Sequence, residues 1–305
     1  MSGIDLSCKL LCAAEAAYCI QTTDPIGKYN PCDNNPNVTP DMIKQYNAVG
    51  FVEDPYVITA AQIEACLVGV TKSEIIVSFR GTLPPAKNWD SFFDWLQDFF
   101  AVPTTDPYIH GKVHSGFLLA LKLLSKNVVK AIKTLQKEHN SPIYITGHSK
   151  GGGMAPIAAM YFTNRYKLKI AQTVTFAGPK PGDLYFASYY NRMFTNDLRY
   201  ENYLDIVPLM PPSTSFIKEL ELLPLPALLK RMLKSAESWD YEPVGTLKYI
   251  DSHGHILSPA TPMIIRVADI MYELFTGNID EIANAHHASC GYRYMQGTCQ
   301  GTVCC

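Results

Sequence analysis

Apolar residues along this chain recur in two patterns. One has helical spacing. Leu6 to Ile20 is rich in Ala and Leu and predicts a helix. Phe117, Leu118, Leu121, Leu124, Val128, Ile132 and Leu135 form one stripe, which predicts an amphipathic helix from Phe117 to Leu135. Gly151 to Tyr166 predicts another, with Pro156 as a candidate kink. The second pattern is the short β-branched run, seen at Glu74–Phe79, Ile143–Thr146, Ile170–Phe176, Leu198–Tyr203 and Gly245–Ile250. Strands that alternate with helices predict an α/β protein with a largely parallel sheet covered on both faces. Thr22 to Pro40 carries Pro25, Pro31, Pro36 and several Asn, and predicts a loop.

Composition narrows the function classes. The chain has 305 residues, of which 47% are hydrophobic and 18% charged, enough for a sizeable core. The net charge of -2 supplies no basic field, so nucleic acid is not an expected partner. The most apolar stretch, Leu220 to Leu233, is broken by Glu221, Pro224, Pro226, Lys230 and Arg231, so no transmembrane segment is expected. Lys9 and Glu15 interrupt the N-terminal region, which does not read as a signal peptide. The nine cysteines cluster at the two ends: Cys8, Cys12, Cys19 and Cys32 early, Cys290, Cys299, Cys304 and Cys305 late, with Cys66 apart. That distribution predicts termini stapled by disulfides in a secreted or oxidising-lumen protein, with a cytoplasmic chain as the alternative. No Cys-x-x-Cys pair suggests a metal, and a monomer is expected.

The chemistry centres on Thr146-Gly147-His148-Ser149-Lys150-Gly151-Gly152, which follows a predicted strand. Gly-x-Ser-x-Gly in that setting is a nucleophile elbow, a sharp strand-to-helix turn that presents one hydroxyl. Ser149 is the candidate nucleophile, and the Lys150 backbone N–H is placed to meet a developing negative charge. A serine hydroxyl needs a neutral imidazole to take its proton. His148 is next in the chain to Ser149, so its side chain diverges and is expected to pack under the turn. The acid is expected after a later strand, where Tyr203-Leu204-Asp205-Ile206-Val207-Pro208 ends a β-run in Asp205. Its rival reading is a strand-end carboxylate capping a turn. The late pair His286-His287 offers the base. Asp251 to His255 holds two more histidines and reads mainly as a polar turn, with metal binding as the alternative. A single domain is expected, because these candidates are spread from Ser149 to His287.

These motifs, in this order, resemble the class 3 (fungal-type) lipases and feruloyl esterases of the α/β-hydrolase fold. The matching pieces are LCAAEAAYC (11–19), VSFRGT (77–82), NWDSFFDWLQDF (88–99), VHSGF (113–117), the elbow, TFAGPKPG (175–182), RYENYLDIVPLMPP (199–212) and YEPVGTLKYID (241–251). The resemblance implies a serine carboxylic ester hydrolase acting on lipid acyl esters, in the manner of a triacylglycerol lipase, with no cofactor. It implies Ser149 as nucleophile, Asp205 as orienting acid, and Thr82 with Lys150 as oxyanion residues. A Tyr follows the family's catalytic His, and some members close with Gly-Thr-Cys. On Tyr292 and Gly297-Thr298-Cys299, His287 is the expected base and His286 the alternative. The same resemblance pairs Cys19 with Cys299. Phospholipase A1, galactolipase and feruloyl esterase are rival activities, and a non-catalytic lipase-like scaffold is a rival of another class.

Two departures from the family pattern, Lys150 and residues 211–240, matter beside the lid candidate. Lys150 stands where an apolar residue is usual. Residues 83–100 hold Trp89, Phe92, Phe93, Trp95, Phe99 and Phe100, and are expected as a lid. Residues 211–240 are expected as an inserted cap that meets a lipid interface or simply covers the core.

Overall fold

In a computed structural model, the structure describes residues 4–20, 26–28, 40–61, 63–82, 99–214, 217–218, 234, 236 and 238–299. Most of the expected lid and most of the expected cap lie outside the described residues. In chain order the helices are α1 (Leu6–Ala16), α2 (Pro40–Val49), α3 (Ser115–Glu138), α4 (Lys150–Tyr166), α5 (Leu184–Met193), α6 (Met263–Thr276), α7 (Ile279–His286) and α8 (Arg293–Cys299). The strands begin with β1 (Ile26–Lys28), β2 (Tyr56–Ala60), β3 (Glu64–Val70), β4 (Ile75–Phe79), β5 (Pro103–Thr104), β6 (Val113–His114) and β7 (Ile143–His148). They continue with β8 (Ile170–Phe176), β9 (Gly182–Asp183), β10 (Leu198–Asn202), β11 (Tyr241–Glu242), β12 (Thr246–Ile250) and β13 (Ile256–Leu257).

Among the described residues, nine strands form the main sheet, in the order β1-β2-β3-β4-β7-β8-β10-β12-β13. Its centre, β4 through β12, is parallel. Antiparallel pairs flank it on both sides. The register puts Phe79 opposite Gly147 and Gly147 opposite Thr175, so the turns after β4 and β7 leave the same edge of the sheet. Side chains alternate across a strand, and β4 shows the result. Ile75, Val77 and Phe79 enter a core with α3 and α4, including Leu121, Val128 and Ala158. Ile76 enters the opposite core with Leu10 and Leu11 of α1 and Tyr294 and Met295 of α8. Both faces are therefore covered, as the alternating pattern predicts.

The long elements sit close to their sequence-predicted positions. β3, which is buried throughout, extends the sheet on one side although no strand was expected there. The expected loop 22–40 contains β1, which pairs with β2; its other residues, apart from Pro40 at the start of α2, lie outside the described set. The disulfide expectation is corrected. Cys299 bonds to Cys8, with Cα atoms 4.8 Å apart, and not to Cys19. The reason lies in helix geometry: Cys8 faces α8 within the α1 core, whereas Cys19 packs beyond the end of α1 with Ile20, Val57 and Leu67.

Candidate active site

Ser149 lies between β7 and α4 with φ 56° and ψ −131°, a backbone conformation that L residues seldom adopt. Such a residue costs about 1–3 kcal/mol and persists only where its surroundings over-determine it. Those surroundings are visible. The Ser149 N–H donates to the Phe176 carbonyl (3.0 Å), and the Gly153 N–H donates to the Ser149 carbonyl (3.1 Å). A Cβ on Gly147 would lie 2.3 Å from the Gly151 backbone, and one on Gly151 would lie 2.0 Å from the Phe79 carbonyl. The two glycines thus let β7, α4 and the end of β4 close on one another. Ser149 Oγ is buried and makes no hydrogen bond among the described residues.

Asp205 follows β10 and is 1% exposed. Its Oδ1 accepts the Val207 N–H (3.0 Å), and its Oδ2 accepts the Tyr294 hydroxyl (2.7 Å). Tyr294 in turn accepts the Asn202 N–H (3.0 Å). The imidazole that meets this carboxylate belongs to His286, with Nδ1 at 3.0 and 3.1 Å from the two oxygens. The expected His287 does not make this contact. α7 ends at His286, and His287 turns into extended backbone (φ −67°, ψ 135°), where its ring tilts against Tyr292 at 4.8 Å. Burial and the neighbouring His286 lower the His287 pKa. A neutral His286 whose Nδ1–H donates to Asp205 keeps Nε2 as an acceptor. Asn202 Nδ2 holds the Ala285 carbonyl (2.7 Å), which fixes the end of α7.

His148 does pack beneath the elbow, and it also joins parts of the site. Its Nε2–H donates to the His286 carbonyl (2.7 Å), and its Nδ1 accepts from Tyr18 on the turn after α1 (2.8 Å). Burial holds its pKa well below the ordinary value, so the ring is neutral.

Thr82 follows β4 and lines two cavities. The larger, about 620 Å³, has Phe99, Phe117 and Leu119 in its walls, with Arg80 and Lys150. The smaller, about 150 Å³, is lined by His286 together with Glu15 and Tyr18. The turn before Thr82 is tight: a Cβ on Gly81 would lie 2.0 Å from the Tyr18 hydroxyl and 2.7 Å from the His148 carbonyl. Arg80 anchors it by donating to the carbonyls of Ile20 and Ile63, each at 2.7 Å. The Lys150 ammonium is taken up by Glu64, at 2.6 and 2.7 Å from its two oxygens. Lys150 begins α4, next to Ser149, where its backbone N–H belongs to the first turn.

At residues 251–255 the polar-turn reading fits the contacts. Asp251 Oδ1 accepts the N–H groups of His253 and His255, both at 2.8 Å. Sequence reasoning did not single out Tyr294, Tyr18 or Glu15. Each is recognised only by a contact with a residue far away in the chain.

Residues 76–215 match the family described as lipase (class 3). A secreted mono- and diacylglycerol lipase 1 of Fusarium solani is 30% identical over 203 residues, 65% of this chain and 56% of that protein. A lipase of Rhizomucor miehei is 30% identical over 150 residues, 48% of this chain and 39% of that protein. The chain thus spans about half the length of the curated relatives it matches. Among solved structures, a mutant form of MDLA from Penicillium cyclopium superposes with a TM-score of 0.60 at 18% identity, covering 95% of this chain and 96% of that one. M37 lipase superposes with a TM-score of 0.59 at 20% identity, covering 91% and 94%. At such identities the likeness concerns the fold, which is that of the α/β-hydrolases.

Proposed function

We propose that this chain, whose residues 76–215 match the class 3 lipase family, is a serine carboxylic ester hydrolase acting on lipid acyl esters through Ser149, His286 and Asp205. The observation that carries this reading is the buried Asp205–His286 pair, whose atoms lie 3.0 Å apart at the sheet edge where the Ser149 elbow also emerges.

His286 Nε2 takes the Ser149 proton as Oγ attacks the ester carbonyl. Asp205 holds the tautomer and stabilises the imidazolium that forms. The backbone N–H groups of Thr82 and Lys150 receive the oxyanion, each worth about 3 kcal/mol in the transition state. His286 then gives its proton to the leaving alcohol. Water, deprotonated by the same imidazole, attacks the acyl-enzyme and releases the acid. His286 takes the base role expected of His287, because its ring is the one that Asp205 orients. The 620 Å³ cavity beside Thr82, with aromatic and leucine walls, suits an acyl chain. The Cys8–Cys299 disulfide supports secretion or an oxidising lumen.

Labelling with a fluorophosphonate probe tests the class of function. The wild type is expected to label at one serine, and Ser149→Ala is expected to abolish the label. An unlabelled wild type would leave only a scaffold role. A panel of triacylglycerol, phospholipid, galactolipid and methyl ferulate then separates the rival ester substrates.

A further inference from the structure

A second buried carboxyl shares a cavity with the imidazole. Glu15, in the last turn of α1, is 3% exposed. Its Oε2 accepts a hydrogen bond from Ser289 Oγ (2.8 Å), on the turn that follows His286. Glu15 and His286 line the same 150 Å³ cavity. The chain segment that begins with α1 therefore holds this turn at two points: Glu15 on Ser289, and Tyr18 through His148 on the His286 carbonyl. The packing of α1 has other sources, in Leu10, Leu11 and the Cys8–Cys299 bond. A buried carboxylate is costly unless a positive charge is near, and His286 acts on Glu15 in that sense.

We propose that Glu15 is a positioning residue for His286: it holds the histidine turn through Ser289 and sets a second carboxylate at the cavity the two share, where it stabilises the imidazolium formed as Ser149 loses its proton. This rests on the hydrolase reading above. Burial pushes the Glu15 pKa up to about 7, against the opposing pull of Ser289 and His286.

His148, His287 and the phenols around the cavity are shifted away from that range. His148 on β7 is held neutral by burial, and His287 is lowered by burial and by His286. The phenols of Tyr18 and, across Asp205, Tyr294 are raised well above their ordinary value, chiefly by burial. Arg80 bears on the cluster through Tyr18. The sign follows from a raised carboxyl. Glu15 is neutral below about pH 7 and charged above it, so its help to the imidazolium is present above that pH. Folding stability runs the other way. It falls as pH rises from 4.5 to about 7, because the unfolded chain has already released this proton.

The test compares wild type with Glu15→Gln on a soluble p-nitrophenyl ester. The variant is expected to lose about 3- to 10-fold in kcat above about pH 7, with KM unchanged and with rates near wild type below about pH 6. Its thermal stability at about pH 8 is expected to equal or exceed that of the wild type. Superimposable pH profiles would overturn the proposal. A second measurement needs no turnover: the carbon-13 titration of the Glu15 carboxyl in wild type and in His286→Asn. Coupling is mutual, so removing the imidazole is expected to raise the Glu15 midpoint by about half a pH unit or more. Equal midpoints would overturn the proposal even if Glu15→Gln failed to fold. Failure of the hydrolase reading would show separately, as a wild type that the fluorophosphonate probe does not label.

Discussion

The elbow and the histidine turn meet at one edge of the sheet, yet different forces hold them. Around Ser149 the constraints come from close neighbours. Gly147 and Gly151 pack backbone on backbone, and the Ser149 N–H is bound by the adjoining strand. Around His286 the elements are short, with α7 of 8 residues and α8 of 7, lengths that are marginal as isolated helices. Their order comes from distant residues: Asn202 on the Ala285 carbonyl, Tyr294 on Asp205, Cys8 on Cys299 and Glu15 on Ser289. The proposed nucleophile is thus set by a few consecutive residues, whereas the proposed base depends on residues far apart in the chain.

The sharpest way to break this comparison is to remove each histidine in turn. His286→Ala is expected to lower kcat by about 10³-fold or more, since an activated serine needs its base. His287→Ala is expected to stay within about 3-fold of wild type. Steady-state rates on a soluble ester, with melting temperatures as the folding control, decide between them. The opposite ranking would return the base role to His287 and leave the Asp205–His286 contact as mere packing.

The disulfide separates the two regions in stability. Cys8→Ala removes a tie that closes most of the chain, and is expected to cost about 2–5 kcal/mol in urea unfolding. The lost bond held α8, whose Tyr294 donates to Asp205, so activity is expected to fall at lower urea than the circular dichroism of the sheet. Coincident transitions would mean that the turn is no looser than the elbow.

The same contrast explains how much was legible in the sequence. The parallel strands, the long helices and Ser149 announce themselves by periodicity and by a motif only a few residues long. Asp205 was readable too, because it ends a β-run in front of a proline turn. The choice between His286 and His287 was not, because adjacent residues share every local signal and only the ending of α7 decides which ring turns toward Asp205. The partner of Cys299 was missed for a like reason: Cys8, Cys12 and Cys19 all lie near one short helix, and which one meets α8 depends on how that helix is rotated. β3, buried on both faces, reads as a continuous apolar run that periodicity alone does not assign to a strand.

Tyr294 sharpens the account of the acid. Its hydroxyl donates to Asp205 and accepts from the Asn202 N–H, so Tyr294→Phe removes one donor from a buried carboxylate and leaves a backbone N–H without its acceptor. The expected cost is about 1–2 kcal/mol in stability, with kcat lowered about 10-fold and KM little altered, because the loss falls on the group that steadies the imidazolium. A variant with wild-type kcat would show that Val207 and His286 are sufficient partners for Asp205.

The smallest effect concerns His148, the residue common to both regions. It sits on the elbow strand and donates to the carbonyl of His286. Burial lowers its folded-state pKa well below 6.5, whereas in the unfolded chain the ring takes up a proton near that value. Its contribution to stability is therefore complete above about pH 6.5 and is lost progressively as pH falls below it, by up to about 1.4 kcal/mol per pH unit. His148→Gln keeps an N–H in place of Nε2 and has no proton to take up. It is expected to flatten the fall in urea stability between about pH 6.5 and about pH 5 relative to wild type. His114 and His287, both lowered by burial, and Glu15 and Asp197, raised to about 7 and about 6, remain in both proteins and together set the residual slope. If the slopes of wild type and variant were equal, His148 would be taking up its proton in the folded protein. The new proton would sit on Nδ1, so the hydrogen bond that Nδ1 accepts from Tyr18 would then have to break or reverse within the native state.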